Sequence, residues 1–434
     1  MTQLSETFDG GEDGGVTTDA EGSASSSGSL WRHADFLLLW GGQTVSDLGS
    51  AVTTLALPLL AVAVLKATTF QVSLIIFLTY LAYLLITLPA GVLVDQVRKH
   101  GLMMWCDLAR TALVGSIPVV AVLWHVTLGQ IYLVALFGGA LSVFFDVAYQ
   151  SYVPALVQGD QLVDANGKLG TTNSFAGLLG PSIGGALVGL IGAAKAVAVD
   201  AVSFAISALS LVMIRTPEPR PERRAEHVTF RAAMHEGLNF VVKHPILRRI
   251  VACTSMCNLF GSTVQAVEIV YLVRVLHASA ALVGLLFSLG AVGGLIGGLT
   301  AGWFSRRVGS ARIIWASILL PAPLVVMIPL ATPGWGTLLF AAGNIVFSFS
   351  ALLYNSAQVS YRQRICPPEL LGRMNASVRW IVWGTLPLGS LMGGALGTWI
   401  GIRPTIWIGV VGSALGGLFV LFSPLRAMRD VPDQ

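Results

Sequence analysis

Long apolar stretches follow one another along most of the chain, and short polar segments separate them. Each stretch has about twenty residues with few charges, which is the length that an α-helix needs to cross the hydrocarbon core of a bilayer. We therefore predict an all-α polytopic membrane protein with twelve transmembrane helices. The predicted spans lie at about 36–63, 70–94, 102–123, 129–149, 169–191, 196–214, 246–271, 280–304, 312–331, 336–356, 375–400 and 404–424.

The polar segments divide the chain into regions. The first thirty residues are rich in Ser, Gly, Asp and Glu and lack the basic and apolar regions of a signal peptide, which indicates a disordered tail. The longest internal polar segment, 215–245, contains four apolar residues at helical spacing, which predicts an amphipathic helix on the membrane surface. These four are Phe230, Met234, Leu238 and Val241. The predicted regions are a tail at 1–33, a six-helix bundle at 34–214, a central loop at 215–245, a second six-helix bundle at 246–424 and a tail at 425–434.

Composition and charge distribution support this topology. Hydrophobic residues make up 54 % of the 434-residue chain and charged residues 11 %, less than half the charged share usual in soluble proteins. Of the 26 Lys and Arg, Arg110 lies inside a span and 21 fall on the side of both termini. The remaining four are Lys66, Lys195, Arg274 and Arg403. By the positive-inside rule we expect both termini to be cytoplasmic.

The two predicted bundles resemble each other in sequence. "GGALVGLIG" at 184–192 has a near copy, "GGALGTWIG", at 393–401, which is an offset of 209 residues. "GVLVDQVRK" at 91–99 pairs with "GWFSRRVGS" at 302–310, an offset of 211. The chain is therefore predicted to be a duplication with two pseudo-symmetric halves, and parallel six-helix repeats are typical of one large class of secondary transporter.

The segment after the second span resembles the G-x-L-A-D-R-x-G-R-K motif of the major facilitator superfamily. Gln96 replaces its Arg and Arg98 its second Gly, and in the second half Arg306 stands in place of Asp. In that family the motif's carboxylate contacts helix N-terminal amides of the opposite half and locks the outward-open state. The resemblance implies a gating role for Gly91, Asp95, Arg98, Lys99, Asp107, Arg110, Arg306 and Arg307. The alternative is a solvated turn whose basic residues only set topology, with Asp107 and Arg110 pairing on one helix face as an architectural support.

The fifth span resembles the family's antiporter motif, G-x8-G-x3-G-P-x2-G-G, with Ala176 in place of the second Gly. The matching residues are Gly167, Gly180, Pro181, Gly184 and Gly185. The segments 144–157, 164–167 and 370–377 look most like the drug:proton antiporter branch that contains macrolide-efflux proteins and the enterobactin exporter. The fourth span has no basic residue, so the Arg-bearing motif of many facilitator antiporters is absent.

Glycines also recur at helical spacing in several spans, which predicts close packing between helix backbones. The fifth span offers the pairs Gly180–Gly184 and Gly185–Gly189, with Pro181 as a kink. The eighth and eleventh spans carry the rows Gly290, Gly294, Gly298, Gly302 and Gly389, Gly393, Gly397.

Polar side chains recur at helical spacing in the first, fourth, seventh and tenth spans, which line the central cavity in this family. An intramembrane carboxylate costs roughly 2.5–3.5 kcal/mol on insertion scales, so each one is a functional candidate. Asp47 and Glu268 are the best candidates for proton coupling or cation binding. The further cavity candidates are Gln43, Asp146, Asn258, Gln265, Asn344 and Asn355. For Asp146 a role in ordering the next loop stays open, and we expect Asp200 to be interfacial.

The resemblance implies a multi-pass transporter of the bacterial inner membrane, working as a monomer. We expect it to export amphipathic or hydrophobic small molecules, such as a drug, antibiotic or siderophore-like compound, by alternating access and proton antiport. An importer or uniporter of a metabolite or lipid-like solute is the alternative. We expect no enzyme, no nucleic-acid partner, no metal site and no cofactor other than the coupling proton, because the motifs for them are missing from the sequence.

Overall fold

The computed structural model describes residues 30–157, 161–218 and 230–430, and its α-helices account for nearly all of them. The helices of the N-terminal half are α1 (Ala34–Leu59), α2 (Thr69–Gln96), α3 (Lys99–Leu123), α4 (Leu128–Leu156), α5 (Gln161–Ile191) and α6 (Ala193–Met213). Helix α7 (Phe230–Lys243) follows in the central loop. The C-terminal half contains α8 (Leu247–Val270), α9 (Ala280–Val308), α10 (Arg312–Leu319), α11 (Ala322–Val325), α12 (Met327–Leu330), α13 (Thr337–Ile365), α14 (Pro368–Trp399) and α15 (Ile402–Leu421).

Eleven helical segments in these ranges are long and apolar enough to cross a membrane, which makes the chain a multi-pass membrane protein. They coincide with eleven of the twelve predicted spans. The remaining prediction, 375–400, corresponds to the greater part of α14, which ends at Trp399 and has 32 residues but is not one of the eleven. Charged residues occupy the first part of that helix, including Arg373 and Arg379.

Several helices extend beyond the predicted spans. Helix α4 continues to Leu156, α5 begins at Gln161 and α13 continues to Ile365, because hydropathy marks only the apolar centre of each helix. The predicted ninth span is interrupted instead: α10 ends two residues before Pro321, and Pro323 and Pro329 lie within the short helices α11 and α12. Proline has no amide hydrogen to donate and clashes with the preceding turn, which breaks a helix interior.

The two halves share an unusual turn after their first helix. Helices α1 and α8 both end in a π-helical turn, at Leu60–Val64 and Tyr271–Val275. Two residues further on, Lys66 and His277 both adopt a φ of 54°, a left-handed conformation that L-residues seldom adopt. The positions are 211 residues apart, which agrees with the offset predicted from the sequence repeat.

Consecutive helices run in opposite directions, so their ends form two faces. We call the face that contains Ala34 and Leu421 the terminal face and the face that contains Ile191 and Ala280 the distal face. At the terminal face a side-chain oxygen of Asp35 accepts a hydrogen bond from the Thr216 amide at 2.8 Å, which joins the start of α1 to the segment after α6.

Close backbone packing holds the helices of each half together, although the glycines involved differ in part from those predicted. In the N-terminal half Gly180 packs on Ala51, and a Cβ at Gly184 would lie 3.1 Å from the Cα of Val52. The row Gly389, Gly393 and Gly397 packs on α8.

Other predicted glycine contacts are wrong. A Cβ at Gly189 or Gly298 would meet nothing within 4 Å, and one at Gly302 would meet only the Arg306 side chain. Gly290 and Gly294 of the predicted row do pack on side chains of α13, but the closest backbone contacts of α9 with α13 involve Gly293 and Gly297. A four-residue row drifts around a helix, so spacing alone does not identify the face that another helix covers.

The amphipathic helix predicted in the central loop is present as α7, but it packs against protein rather than lying only on a membrane surface. Glu236 forms an ion pair with Arg373 of α14, and Gly237 lies against the Arg373 carbonyl group. Val241 is buried. The side chains of Phe230 and Met234 are outside the described residues.

Candidate functional site

The two halves touch most closely where α5 crosses α9, near the distal face. A Cβ at Gly185 would lie 2.9 Å from the Cα of Gly284, so at this crossing the two backbones are in contact. One turn away, the hydroxyl oxygens of Ser182 and Ser288 are 2.8 Å apart, and the Ser182 amide also donates to Ser288 Oγ at 3.1 Å. Pro181 breaks the regular hydrogen bonding of α5 here, and Ser288 gives the following amide a partner on the other half.

Further contacts join the halves on the same side of the molecule. The Tyr80 hydroxyl of α2 donates to Gln265 Oε1 of α8 at 2.7 Å. Arg274 Nη2 donates to the Ala67 carbonyl oxygen at 2.5 Å, which links the two π-helical turn regions. Gly394 of α14 lies against Ser73 of α2, where a Cβ would be 2.8 Å from the Ser73 Cβ. The distal face is therefore closed by direct contact between the halves.

Toward the terminal face the same helices separate. A cleft of about 270 Å³ lies between α2 and α14. Its lining consists of Tyr83, Leu84, Thr87, Gly372, Asn375, Ala376, Arg379, Trp380 and Trp383. A Cβ at Gly91, Gly167 or Gly372 would meet no described atom within 4 Å, so in the described ranges none of these glycines packs against the opposite half. The molecule is closed at its distal face and open toward its terminal face.

Asp47 and Asp146 lie on adjacent inner helices of the N-terminal half. Gln43 Nε2 donates to Asp47 Oδ1 at 2.7 Å, one turn along α1, as the predicted pairing on one face requires. The Tyr83 hydroxyl donates to Asp146 Oδ2 at 3.5 Å. The Asp47 charge acts on Asp146, which places both carboxylates in one electrostatic cluster.

Arg110 is the cation of this cluster. It is 5 % exposed, forms an ion pair with the fully buried Asp107, and its charge also acts on Asp47 and Asp146. Its guanidinium carbon lies 4.3 Å from the ring centroids of both Phe145 and Phe204, a cation–π geometry. Ion pair and rings together hold the guanidinium group in one position.

Asp200 belongs to the same half and is 1 % exposed, packed between α1 and α6. Its position at the membrane interface stays a prediction. Its Oδ1 accepts from Ser203 Oγ at 3.1 Å and from Ser50 Oγ at 3.5 Å. The helix buries this face against α1, which the sequence position near the start of a span did not indicate.

The C-terminal half encloses a cavity of about 490 Å³ between α8, α13, α15 and the broken helix formed by α10, α11 and α12. All five polar residues predicted on the seventh and tenth spans line it: Asn258, Gln265, Glu268, Asn344 and Asn355. Most of them hold helices together. Asn258 donates to the Val382 carbonyl of α14 at 3.2 Å, and Asn344 donates to the Leu286 carbonyl of α9 at 3.4 Å. Gln265 accepts from Tyr80 of α2, whereas Asn355 accepts from Gln358 of its own helix, α13, at 3.0 Å.

Glu268 differs from these neighbours. Its side chain lines the cavity and is only 9 % exposed, yet the described part of the chain gives its carboxylate no hydrogen bond and no ion pair. A buried charge without a partner is costly. The site can therefore hold a proton or a cation, either of which would remove that cost.

The predicted gating residues are not brought together across the halves in the described structure. Lys99 and His100 amides at the start of α3 donate to Glu218 at 2.7 and 3.1 Å, within the N-terminal half. Arg306 and Arg307 are exposed in the last turn of α9. The side chain of Asp95 is outside the described residues, so its contact with the opposite half stays a prediction.

Two arginines of the C-terminal half are not among the predicted site residues. Arg379 lines the cleft between α2 and α14, and the Nε of Arg362 is buried with no hydrogen-bond partner. Both were counted only as basic residues on the cytoplasmic side. Arg379 lies four residues inside the predicted span 375–400, and that position was a usable signal, because an intramembrane charge is costly whichever its sign.

A duplicated helical chain whose halves meet at one face and leave a cleft between them at the other has the architecture of a polytopic membrane transporter. The family model of the Major Facilitator Superfamily matches residues 39–386 and, in a second match, residues 251–433. The chain belongs to the Major Facilitator Superfamily, whose members are transporters and not enzymes.

Relatives in this superfamily cover almost the whole chain. The multidrug efflux pump Tap of Mycolicibacterium fortuitum is 25 % identical over 413 residues, which is 92 % of this chain and 98 % of Tap. The enterobactin exporter EntS of Salmonella typhimurium is 27 % identical over 415 residues, 93 % of this chain and 96 % of EntS.

Solved structures with low sequence identity share the fold. The nucleoside transporter NupG superimposes with a TM-score of 0.68 at 13 % identity and covers 91 % of this chain and 98 % of its own. A bacterial homologue of the iron transporter ferroportin in an inward-facing state also gives 0.68, at 16 % identity, with 91 % and 98 % covered.

Proposed function

We propose that this protein is a secondary active transporter that exports amphipathic or hydrophobic small molecules across the bacterial inner membrane by alternating access. The observation that carries the proposal is the asymmetry between the faces, because a cleft open on one side and sealed on the other is one of the two states that alternating access requires. The relatives Tap and EntS, by name an efflux pump and an exporter, support the direction of transport and a substrate of drug or siderophore-like kind.

The proposal includes a topology of twelve spans with both termini in the cytoplasm, in a monomeric protein. Helix α14 would be the additional span, since its 32 residues are enough to cross a bilayer. The excess of Lys and Arg on the side of both termini supports this orientation. The terminal face is then cytoplasmic, and the cleft between α2 and α14 receives substrate from inside the cell.

We further propose that transport is coupled to proton antiport, and that the proton is carried by Glu268, Asp47 or both. Glu268 supports this best, because it faces a cavity and has no partner in the described structure. A carboxylate in such a place gains or loses a proton according to whether the cavity is open to water. Asp47 has a neutral hydrogen-bond donor, Gln43, and shares the field of Arg110 with Asp146.

The proposal is tested in inside-out vesicles with an imposed pH gradient, acidic inside, and a panel that contains a cationic dye, a macrolide and a catecholate. We expect at least one compound to accumulate and to dissipate the gradient as it does so. In Glu268→Gln or Asp47→Asn, accumulation of that compound should lose its dependence on the gradient. The matched control is Asp164→Asn, which removes a carboxylate from an exposed pair with Lys168.

Two results would decide against the proposal. Uptake that is unaffected by the gradient in the unmodified protein would indicate a uniporter. Gradient-driven uptake that survives in both carboxylate variants would mean that the coupling residues lie elsewhere.

A further inference from the structure

The cleft between α2 and α14 contains a charged group to which neither the coupling proposal nor the gating motif assigns a role. Arg379 is on α14, eleven residues from the start of that helix, which is about 16 Å along its axis. It is exposed, and Asn375, Trp380 and Trp383 line the same cleft. The opposite wall is formed by Tyr83, Leu84 and Thr87 of α2.

Arg379 has no counter-ion among the side chains that the structure describes. Its guanidinium carbon lies 5.8 Å from the centroid of the Trp383 ring, and no carboxylate lies within ion-pair distance of it in that part of the chain. Arg362 is the second arginine of this region. Its positive charge and that of Arg379 repel each other, which disfavours the two charges still further. Among the described side chains this side of the opening is therefore positively charged, and no ion pair there compensates Arg379.

The walls around Arg379 are aromatic. The Trp383 ring centroid is 6.0 Å from that of Tyr83, with the two planes inclined at 52°. Trp380 and Trp383 are 47 % and 39 % exposed, so both rings present free surface. A guanidinium group binds carboxylates through two parallel hydrogen bonds, and indole rings favour offset or edge contacts with other flat rings. The cleft volume of about 270 Å³ suits a small bicyclic molecule.

We propose that this cleft binds an organic anion with a planar aromatic group, with Arg379 holding the anionic group and Trp380 and Trp383 contacting the ring. Asn375 adds an amide next to Arg379 that can donate to the same anion. The inference deepens the proposed function, since such a molecule would be a substrate or the recognised part of one. It gives Arg379 the role of a substrate-selecting residue.

The test uses the purified full-length protein in detergent and measures binding by titration calorimetry. The probes are 2-naphthoate, its neutral isostere 2-naphthamide, and inorganic phosphate. We expect 2-naphthoate to bind about tenfold more tightly than 2-naphthamide, because a charge-assisted pair is replaced by a neutral contact. Phosphate should bind at least tenfold more weakly than 2-naphthoate, since it has no ring to contact the tryptophans.

Three variants separate the parts of the site. Arg379→Gln should abolish the preference for naphthoate over naphthamide, and Arg379→Lys should retain part of it. Trp383→Leu should weaken both naphthalene probes by similar factors. The matched control is Arg364→Gln, which removes an arginine that is exposed at the end of α13 and does not line the cleft.

Equal affinity of the unmodified protein for naphthoate and naphthamide would overturn the inference, and so would an unchanged preference in Arg379→Gln. Phosphate binding as tight as naphthoate binding would show a simple anion site, such as one for a lipid phosphate, and would overturn the aromatic part. If Arg379→Gln does not fold, Arg379→Lys and Trp383→Leu decide the same question. Binding is measured without a pH gradient, so it is independent of the transport assay. Preferential binding of naphthoate in a protein that shows no antiport would contradict only the proposed function. Antiport by a protein that does not prefer naphthoate over naphthamide would contradict only this inference.

Discussion

The two halves of this transporter have the same backbone plan and opposite electrostatic designs. In the N-terminal half four carboxylates share one arginine, Arg110, and rings and hydroxyl groups fix the cluster. These carboxylates are Asp47, Asp107, Asp146 and Asp200. In the C-terminal half Glu268 faces a cavity without a partner, and Arg362 and Arg379 have no counter-ion among the described side chains.

The difference shows what the duplication preserved. Backbone features near the distal face occur in both halves, including the π-helical turns and the positive φ angles of Gly192 and Gly401, which are 209 residues apart. The polar interior has diverged. In the N-terminal cluster Asp107, Arg110 and Asp200 are buried and have partners within the fold, whereas Glu268, Arg362 and Arg379 of the C-terminal half have no ion pair among the described side chains.

Replacing one arginine in each half, Arg110 or Arg379, should give the largest difference in the free energy of unfolding between the halves. Arg110→Gln leaves Asp107 buried without its partner, so we expect a loss of about 3–5 kcal/mol in the free energy of unfolding. Arg379→Gln removes an exposed charge without a partner and should change it by less than about 0.5 kcal/mol. Thermal unfolding in detergent measures both, and similar losses in the two variants would contradict the distinction.

Close packing in the N-terminal half gives the next largest effect. Gly180→Leu would drive a side chain into Ala51 of α1, so we expect poor insertion or a loss of about 1–3 kcal/mol, together with loss of transport. The control on the same helix is Gly177→Leu, since a Cβ at Gly177 meets nothing within 4 Å. Normal yield and export by Gly180→Leu would mean that this packing contact is not required.

Replacing one carboxylate in each half by methionine should change the free energy of unfolding in opposite directions. Glu268→Met removes a buried carboxylate without a partner, and we expect the free energy of unfolding to rise by about 1–2 kcal/mol. Asp200→Met removes the carboxylate that accepts from the Ser50 hydroxyl, leaves Ser203 only the backbone carbonyl of residue 200, and should lower the free energy of unfolding by about the same amount. Denaturation of the two variants under identical conditions gives the signs, and a shared sign would refute the contrast between the halves.

The smallest expected effect tests the feature that the halves have in common. Lys66→Gly and His277→Gly relieve the left-handed strain at equivalent positions, and we expect each to stabilise the protein by about 0.5–1 kcal/mol. Lys66→Ala and His277→Ala are the controls, because alanine shortens the side chain without relieving the strain. Gains that differ between the halves would show that the two turns are not equivalent.

The helices could be predicted from the sequence because apolar stretches of about twenty residues have few alternatives in a membrane. The breaks in the ninth span could also have been predicted from the sequence, since Pro321, Pro323 and Pro329 lie within 312–331. Which face of each helix is covered by a neighbour could not be predicted from the sequence. Burial of Asp200, like the contacts of Gly293 and Gly297, depends on which neighbour covers a face, and that is decided by packing among several helices.

The candidate site could be predicted in part for the same reason. Spacing placed Asn258, Gln265 and Glu268 on one stripe, and all three line one cavity. Their hydrogen bonds were not predictable, because the carbonyl acceptors and the Tyr80 hydroxyl belong to other helices. Arg379 was counted only as a basic residue that sets the topology. Its position inside an apolar span also marked it as a functional candidate, because an intramembrane charge is costly.

The backbone contact between Gly185 and Gly284 has a mechanical consequence. If the halves rotate about this point, it acts as the fulcrum of a lever with unequal arms. Six residues, about 9 Å of helix, separate Gly185 from the distal end of α5 at Ile191, whereas 24 residues, about 36 Å, separate it from Gln161. A displacement of 1 Å at the end of the short arm would then move the end of the long arm by about 4 Å. A small separation of the halves at the distal face would therefore close the cleft at the terminal face.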